Sequence, residues 1–344
     1  MPSFPKPVPA LNYSLAAEKQ AIDQWFQSRS VPQSMSNRLL LGSWNIANLG
    51  EQKRDQKDLN LIAHILSRFD LIAVQEVKTD VSHLRAVAAS MGSGFDWIVN
   101  DPGGNSERLA FIYRKSHVQP GRLFGEVAIP EKDFPVDTIV VPYRKSGQDR
   151  IEVYYNLRFT PFDRNPFVGT FTSGNLTLTL ANVHLYFGAF KDASSVVERA
   201  KYARRVMEVL TLAEWAKERR KDQRTLYPDI VLLGDMNVPE MNPTDAAFRA
   251  LLKSGLEPAE YSTTTGGSNL GGTKTYDQLA ITPGDLVNRR LKYDVFDFDN
   301  AVFASKWNQL SQQLTPRQAT VKFNAYVRFH VSDHRLLWMQ FKTD

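Results

Sequence analysis

The sequence has no cysteine. Disulfides, cysteine-ligated zinc and thiol nucleophiles are thereby excluded. No run of about 18 apolar residues occurs, so no membrane-spanning helix is expected. The opening Met-Pro-Ser-Phe-Pro-Lys has no basic start followed by an apolar stretch, so no secretory leader is expected. With cysteine also missing, the expected location is the cytoplasm. Neither a His-Glu-x-x-His pattern nor a repeat of fixed period is found. Charge of one sign is scarce as well: 42 Lys and Arg against 37 Asp and Glu leave a formal +5 over 344 residues. That surplus suits a polyanionic partner, but a protein of this length could carry it for solubility alone.

What is present is an ordinary globular balance, with 42% apolar residues, enough to bury a sizeable core. Residues 1–13 hold four prolines and read as an extended arm. A short amphipathic helix follows, with Leu15, Ile22, Trp25 and Phe26 on its apolar face, so residues 1–37 form an arm that packs on the main body. From residue 38 short apolar strands alternate with helices. Strands are expected at 39–46, 71–74, 95–99, 109–113, 230–233, 276–282 and 335–341. Helices are expected at 53–69, 80–91, 194–221 and 303–313. Residues 167–171 and 176–183 read as a hairpin around Thr172-Ser173-Gly174-Asn175. The proline-bearing stretch 117–150 reads as strands joined by long loops, and the Thr- and Gly-rich 262–275 as a mobile loop. Several strands are apolar on both faces, which places them inside a layered structure. Residues 191–224 hold ten Lys/Arg against six Asp/Glu, which reads as a solvated helix face rather than a nucleic-acid contact.

Chemistry gathers where the strands end. The first strand runs into Trp44-Asn45-Ile46, the second into Gln75-Glu76-Val77. The hairpin's second arm runs into Asn182-Val183-His184, and the 230–233 strand into Gly234-Asp235-Met236-Asn237. Tyr276-Asp277 and Ser332-Asp333-His334 flank the last strands. Any one of these could be a loop or turn residue. Carboxylates and imidazoles rarely recur at the ends of buried strands unless they are paired or hold metal. If the strand ends share one edge, two amides, four carboxylates and two imidazoles converge. That is hard-oxygen chemistry suited to Mg²⁺ or Mn²⁺.

In this order the six motifs resemble those of the endonuclease/exonuclease/phosphatase superfamily, across about residues 38–342. The resemblance implies an α/β fold: a four-layer α/β/β/α sandwich of two mixed sheets flanked by helices, filling residues 38–344. Ser106-Glu107-Arg108-Leu109 and Phe162-Asp163-Arg164-Asn165-Pro166 are similar to the deoxyribonuclease I branch. It implies that Glu107 orients the first catalytic His and that Arg164 binds phosphate. On this likeness Glu76 holds the metal, with Asn45 and Asp333 as further ligands or orienters. His334 takes a proton from water while Asp277 holds its other nitrogen, and His184 serves the phosphate or the leaving oxygen. Asp235 and Asn237 orient water and phosphate, and the base role falls to His334 or to Asp235. Lys78 and Asn105 stand where that branch often carries a minor-groove Arg and an aromatic ring, so both belong to the substrate surface but cannot fork or stack.

The expected activity is metal-dependent cleavage of nucleic-acid phosphodiesters, DNA ahead of RNA and internal bonds ahead of ends. A phosphatase or lipid phosphodiesterase of the same fold is the nearest alternative. A non-catalytic binding or effector module is the second. No membrane and no partner protein is encoded in any motif.

Overall fold

The computed structural model describes residues 3–78, 80–143, 151–187, 195–261 and 266–344. The 144–150 end of the proline-bearing stretch, residues 191–194 at the start of the basic segment and the 262–265 part of the expected mobile loop lie outside the described residues.

The chain enters through α1 (Leu15–Ser28), β1 (Arg38–Leu49), α2 (Gln56–Leu66), β2 (Leu71–Lys78), α3 (Ser82–Met91), β3 (Phe95–Val99) and β4 (Glu107–Arg114). It continues through β5 (Gln119–Glu126), the hairpin β6 (Val136–Tyr143) and β7 (Ile151–Arg158), then β8 (Phe167–Ser173), β9 (Leu176–His184) and α4 (Val196–Lys221). After β10 (Ile230–Asp235) come α5 (Ala246–Lys253), β11 (Glu257–Pro258), β12 (Asp277–Ile281), α6 (Asp285–Arg289) and β13 (Arg290–Phe296). The last elements are α7 (Ala304–Gln313), α8 (Pro316–His330) and β14 (Leu336–Lys342).

Two six-stranded sheets result, ordered β13-β14-β1-β2-β4-β3 and β11-β12-β10-β9-β8-β5. Each is mixed: β1 runs parallel to β2 and β9 parallel to β10, while the other pairs are antiparallel. The period-two alternation of a strand explains the runs that are apolar on both faces. On β1, Leu39 and Leu41 face the second sheet, while Leu40, Trp44 and Ile46 face the outer helices. On β10, Val231 and Leu233 face the first sheet, while Ile230 and Leu232 face α4 and α5. Three apolar layers thus separate helices, sheet, sheet and helices, the four-layer sandwich expected.

The extended N-terminal segment is tied to the body by polar contacts. Phe4 N–H donates to Gln52 Oε1 at 2.7 Å, Tyr326 Oη donates to the Pro9 carbonyl at 2.7 Å, and Glu18 Oε2 accepts from Phe303 N–H at 2.7 Å. Two expectations changed. The basic segment is not simply a solvated face, because Arg199 and Arg205 of α4 are buried and Arg204 lies over the Tyr186 ring. The described part of the 262–275 loop is tied: Asn269 Oδ1 accepts from Thr273 and Lys274 N–H, and Gly267 N–H bonds the Gly272 carbonyl. No described helix is long and apolar enough to cross a membrane.

Candidate active site

The two parallel strand pairs bring their C-terminal ends to one edge. Asn45 stands in register with Gln75, His184 with Asp235, and Asp235 with Asp277 across the antiparallel neighbour. Both ladders break their register just before the site: β1 with β2 between Asn45 and Leu49, and β2 with β4 between Val74 and Val77. Such irregularities re-aim side chains at strand ends. Here the break coincides with Glu76 at φ +59°, a left-handed conformation rare for a long side chain. Gly234, at φ +133°, is required by packing: a Cβ there would clash with the Val183 carbonyl oxygen.

Below the edge an amide staple joins the sheets. Gln75 Nε2 donates to Asn182 Oδ1 at 2.7 Å, and Asn182 Nδ2 donates to the Val74 and Ala110 carbonyls at 3.1 and 3.0 Å. Ser332 forms a second tie. Its hydroxyl donates to the Asn45 carbonyl at 2.7 Å and accepts from Ala47 and His334 N–H. Trp44 Nε1 donates to the His334 carbonyl at 2.7 Å. These supports escaped sequence reading, although Gln75, Asn182 and Ser332 sit inside the motifs. Their polarity at fully buried strand ends was the available signal.

Above the supports two histidines face one carboxylate. His184 Nδ1 lies 2.8 Å from Glu107 Oε2, and His184 Nε2 lies 3.5 Å from Asp235 Oδ2. His334 Nδ1 lies 2.8 Å from Asp277 Oδ2, and His334 Nε2 lies 3.7 Å from the same Asp235 Oδ2. Asp235 Oδ1 accepts from the Asn237 N–H at 2.9 Å, while Asn237 Nδ2 donates to the Leu185 carbonyl at 3.0 Å. Asn45 Nδ2 reaches both sheets' carboxylates, Glu76 Oε1 at 3.1 Å and Asp235 Oδ2 at 3.0 Å.

The charges follow from this packing. Burial raises the Glu107 carboxyl, but His184, Arg164 and Lys78 outweigh it and hold Glu107 down at about 2. Burial also works against ionisation of Asp235, and the two imidazoles overcome it, leaving Asp235 below the usual carboxylate range. Asp277 is raised by burial, with Asp235 adding to it. Burial opposes charge on His334, yet Asp277 and Asp235 lift it well above an ordinary imidazole.

Glu76, Glu107, His184, Asp235, Asp277, His334, Asn45 and Asn237 therefore share one cluster. Asp333 stands beside them, half-buried, its carbonyl accepting from Leu270 N–H at 3.0 Å. Three other expected residues sit differently. Arg164, expected as a phosphate fork, is 4% exposed. Its Nε and Nη2 donate to the His184 and Leu185 carbonyls at 2.7 and 3.0 Å, and Nη1 lies 3.5 Å from Glu107. The fork is turned into the protein because two strand-end carbonyls and a carboxylate already satisfy it. Lys78 is buried and donates to Glu107 at 3.1 Å. Asn105 is exposed, at φ +60°.

The sequence profile of the Endonuclease/Exonuclease/phosphatase family matches residues 42–334, and the chain belongs to that family. Among individual relatives, it is 34% identical to deoxyribonuclease-1 of Sus scrofa over 91 residues, 23% of this chain and 31% of that protein. The matched segment thus spans about a third of that relative. Among solved structures, an endonuclease/exonuclease/phosphatase family protein from Bacteroides thetaiotaomicron superposes with a TM-score of 0.50 at 15% identity, over 89% of this chain and 95% of that one. A humanized D. rerio TDP2 gives a TM-score of 0.49 at 12% identity, over 90% of this chain and 100% of that one.

The family's members are hydrolases of phosphate esters and are generally divalent-metal dependent. The residues here fit such an ion. Asn45 Oδ1 is buried without a hydrogen-bond partner, beside the Glu76 carboxylate that Asn45 Nδ2 contacts. Glu76, Glu107 and His184 offer ligand atoms within 4.8 Å of one another. An unsatisfied amide oxygen next to a buried carboxylate is costly unless a cation completes it. A donor set rich in oxygen favours a hard cation.

Proposed function

We propose that the protein is a metal-dependent phosphodiesterase of nucleic acid, with DNA the favoured substrate and internal bonds the favoured target. The observation that carries the reading is the placement of two histidine–carboxylate pairs on either side of Asp235 Oδ2, next to the Asn45–Glu76 oxygen site. Hydrolysis of a phosphodiester needs a proton taken from water on one side and charge relieved on the leaving oxygen on the other. On this reading one pair serves each task. The likeness to deoxyribonuclease-1 of Sus scrofa over 91 residues supports DNA as the polymer.

Glu76, Asn45 and Asp333 would hold Mg²⁺ or Mn²⁺, which when bound polarises a phosphate oxygen and eases departure of the leaving oxygen. On the water side Asp235, kept ionised by the two imidazoles, accepts the proton, and the His334–Asp277 pair, charged at His334, holds Asp235 and the incoming phosphate. Asp235 orients the water, and Asp277 fixes the His334 ring through Nδ1, leaving Nε2 toward the reacting centre. Asn237 steadies Asp235 and the phosphate. On the opposite side His184, held by Glu107, donates from Nε2 to a phosphate oxygen or to the leaving group. Arg164 and Lys78 keep Glu107 ionised, so that His184 retains its tautomer. Asn105 lies at the exposed rim, where it can meet the substrate backbone.

The test is hydrolysis with Mg²⁺ or Mn²⁺ of supercoiled DNA, single-stranded DNA, RNA, and a set of phosphomonoesters. Nicking of the supercoiled substrate, abolished by EDTA and restored by either cation, is the expected outcome. Phosphate release from monoesters without polymer cleavage would overturn the nuclease reading, and full activity in EDTA would overturn the metal.

A further inference from the structure

Between α7, α8 and the loop that carries His334 lies a cleft of about 320 Å³ that the hydrolytic scheme leaves unused. Its floor is a buried ion pair. Arg335 sets Nε and Nη2 each 2.7 Å from the two carboxylate oxygens of Asp299, a fork-to-fork match. Its wall is aromatic: Trp307 meets Phe323 edge-on, with ring centroids 5.3 Å apart, and Trp307 keeps 37% of its surface open. Asn300, Asn324 and Thr320 add amides and a hydroxyl around the opening.

The cleft adjoins the reacting centre. β13 ends with Phe296 opposite Leu336, the first residue of β14, so the turn bearing Asn300 leaves the sheet at the catalytic edge. Arg335 directly follows His334 in the chain. Asn269 bridges to His334, Leu270 N–H bonds the Asp333 carbonyl, and Gly271 forms the lip of the cleft. A substrate strand whose phosphate lies between His184 and His334 would carry its neighbouring nucleotide to this lip.

The chemistry of the lining selects the occupant. A phosphate is disfavoured, because Arg335, the cation of the lining, is already paired with Asp299. A flat heteroaromatic ring suits it: its face meets an open indole, and its edge meets the Asn324 amide, the Asn300 amide oxygen, and the Thr320 hydroxyl, whose proton goes to the Pro316 carbonyl so that its oxygen accepts. A base in a duplex has both faces stacked and one edge paired, so it can enter only after leaving the stack. Resting on the nucleic-acid reading above, we propose that this cleft is a subsite for one unpaired nucleobase flanking the cleaved phosphate. It biases the enzyme toward single-stranded or frayed substrate.

The test compares wild type, Trp307→Ala and Trp307→Phe on a short single-stranded oligonucleotide and on glycerophosphoglycerol, a phosphate bis-ester with neither base nor aromatic ring. Loss of stacking on one aromatic ring lowers affinity about 10-fold. The ratio of kcat/KM for oligonucleotide to that for the bis-ester should therefore fall about 10-fold in Trp307→Ala, chiefly through KM, and recover in Trp307→Phe. Thr320→Trp, which fills the cleft without removing packing, should lower the same ratio. A ratio unmoved by Trp307→Ala and Thr320→Trp overturns the subsite alone. A wild-type protein that hydrolyses the bis-ester and no oligonucleotide overturns the nucleic-acid reading beneath it.

Discussion

Three histidine–carboxylate pairs lie buried in the described residues, each with a 2.8 Å approach: His184 with Glu107, His334 with Asp277, and His330 with Asp58. The pairs differ in what the far nitrogen meets. In the first two, Nε2 faces Asp235 at 3.5 and 3.7 Å, so the outer atom meets a second polar group. In the third, Nε2 has no hydrogen-bond partner among the described residues, and the ring is met by Tyr13, Phe303 and Phe329. Asp58 is also fully engaged: it accepts from the Tyr13 hydroxyl at 2.7 Å and closes the capping box of α2. On the proposed scheme a buried pair serves catalysis only when its outer atom meets a second polar group. The same spacing closed off by aromatics is a structural clamp between the N-terminal arm, α2 and α8.

The largest contrast should be kinetic. His334→Ala and Asp235→Ala are each expected to lower turnover by at least ~100-fold while the unfolding midpoint moves little, as for loss of a general base or key stabiliser. Near-normal turnover in either variant would remove that residue from the scheme. His330→Ala should do the reverse, leaving Asp58 and Tyr13 short of a partner at a cost of about 1–3 kcal/mol, read by urea denaturation. A His330→Ala variant as inactive as His334→Ala would erase the distinction.

A smaller effect sharpens the comparison through carboxylates alone. Glu107 and Glu208 are both buried, yet burial pushes Glu208 up to about 7 while Glu107 is held at about 2. Glu208 lacks an imidazole: its Oε2 accepts from Tyr186 N–H at 2.7 Å, and Arg204 stands 3.7 Å from Oε1. Because its folded value lies above the ordinary 4.5, its contribution to stability is complete below about 4.5 and is lost as pH rises through 7. Glu208→Gln, which keeps the acceptor without the charge, should gain on wild type between those limits, by on the order of 2–3 kcal/mol. Parallel stability curves across that range would show that Glu208 ionises without penalty.

Layering could be read from the sequence because both faces of β1, β2 and β10 are apolar, and the motif resemblance implied the four-layer sandwich. The site could be read because its polar residues close those strands. Less could be read where function depends on residues far apart in the chain. Nothing local to Arg335 announces Asp299, or to Gln75 announces Asn182. The likeness to the deoxyribonuclease I branch offered Arg164 as a phosphate ligand; an arginine fork suits carbonyl oxygens as well, and only the fold shows that the His184 and Leu185 carbonyls lie within its reach. Helix α8 lies outside the elements expected from the sequence, although Thr315 and Gln318 mark its start with a capping box and Pro316 stands at its first turn. His330, at its end, belongs to no motif.

The amide of Asn45 touches one carboxylate on each sheet, at 3.1 and 3.0 Å. Two stiff layers that meet at this amide, above the Gln75–Asn182 staple, act as the jaws of a caliper. A sliver of slippage between them opens the gap at Asp235 well before the filling of Phe111, Phe171 and Leu233 loosens. Reaction rate is therefore a finer gauge of interior alignment than melting temperature, and repacking those apolar rings offers a way to retune the chemistry without altering any polar group of the site.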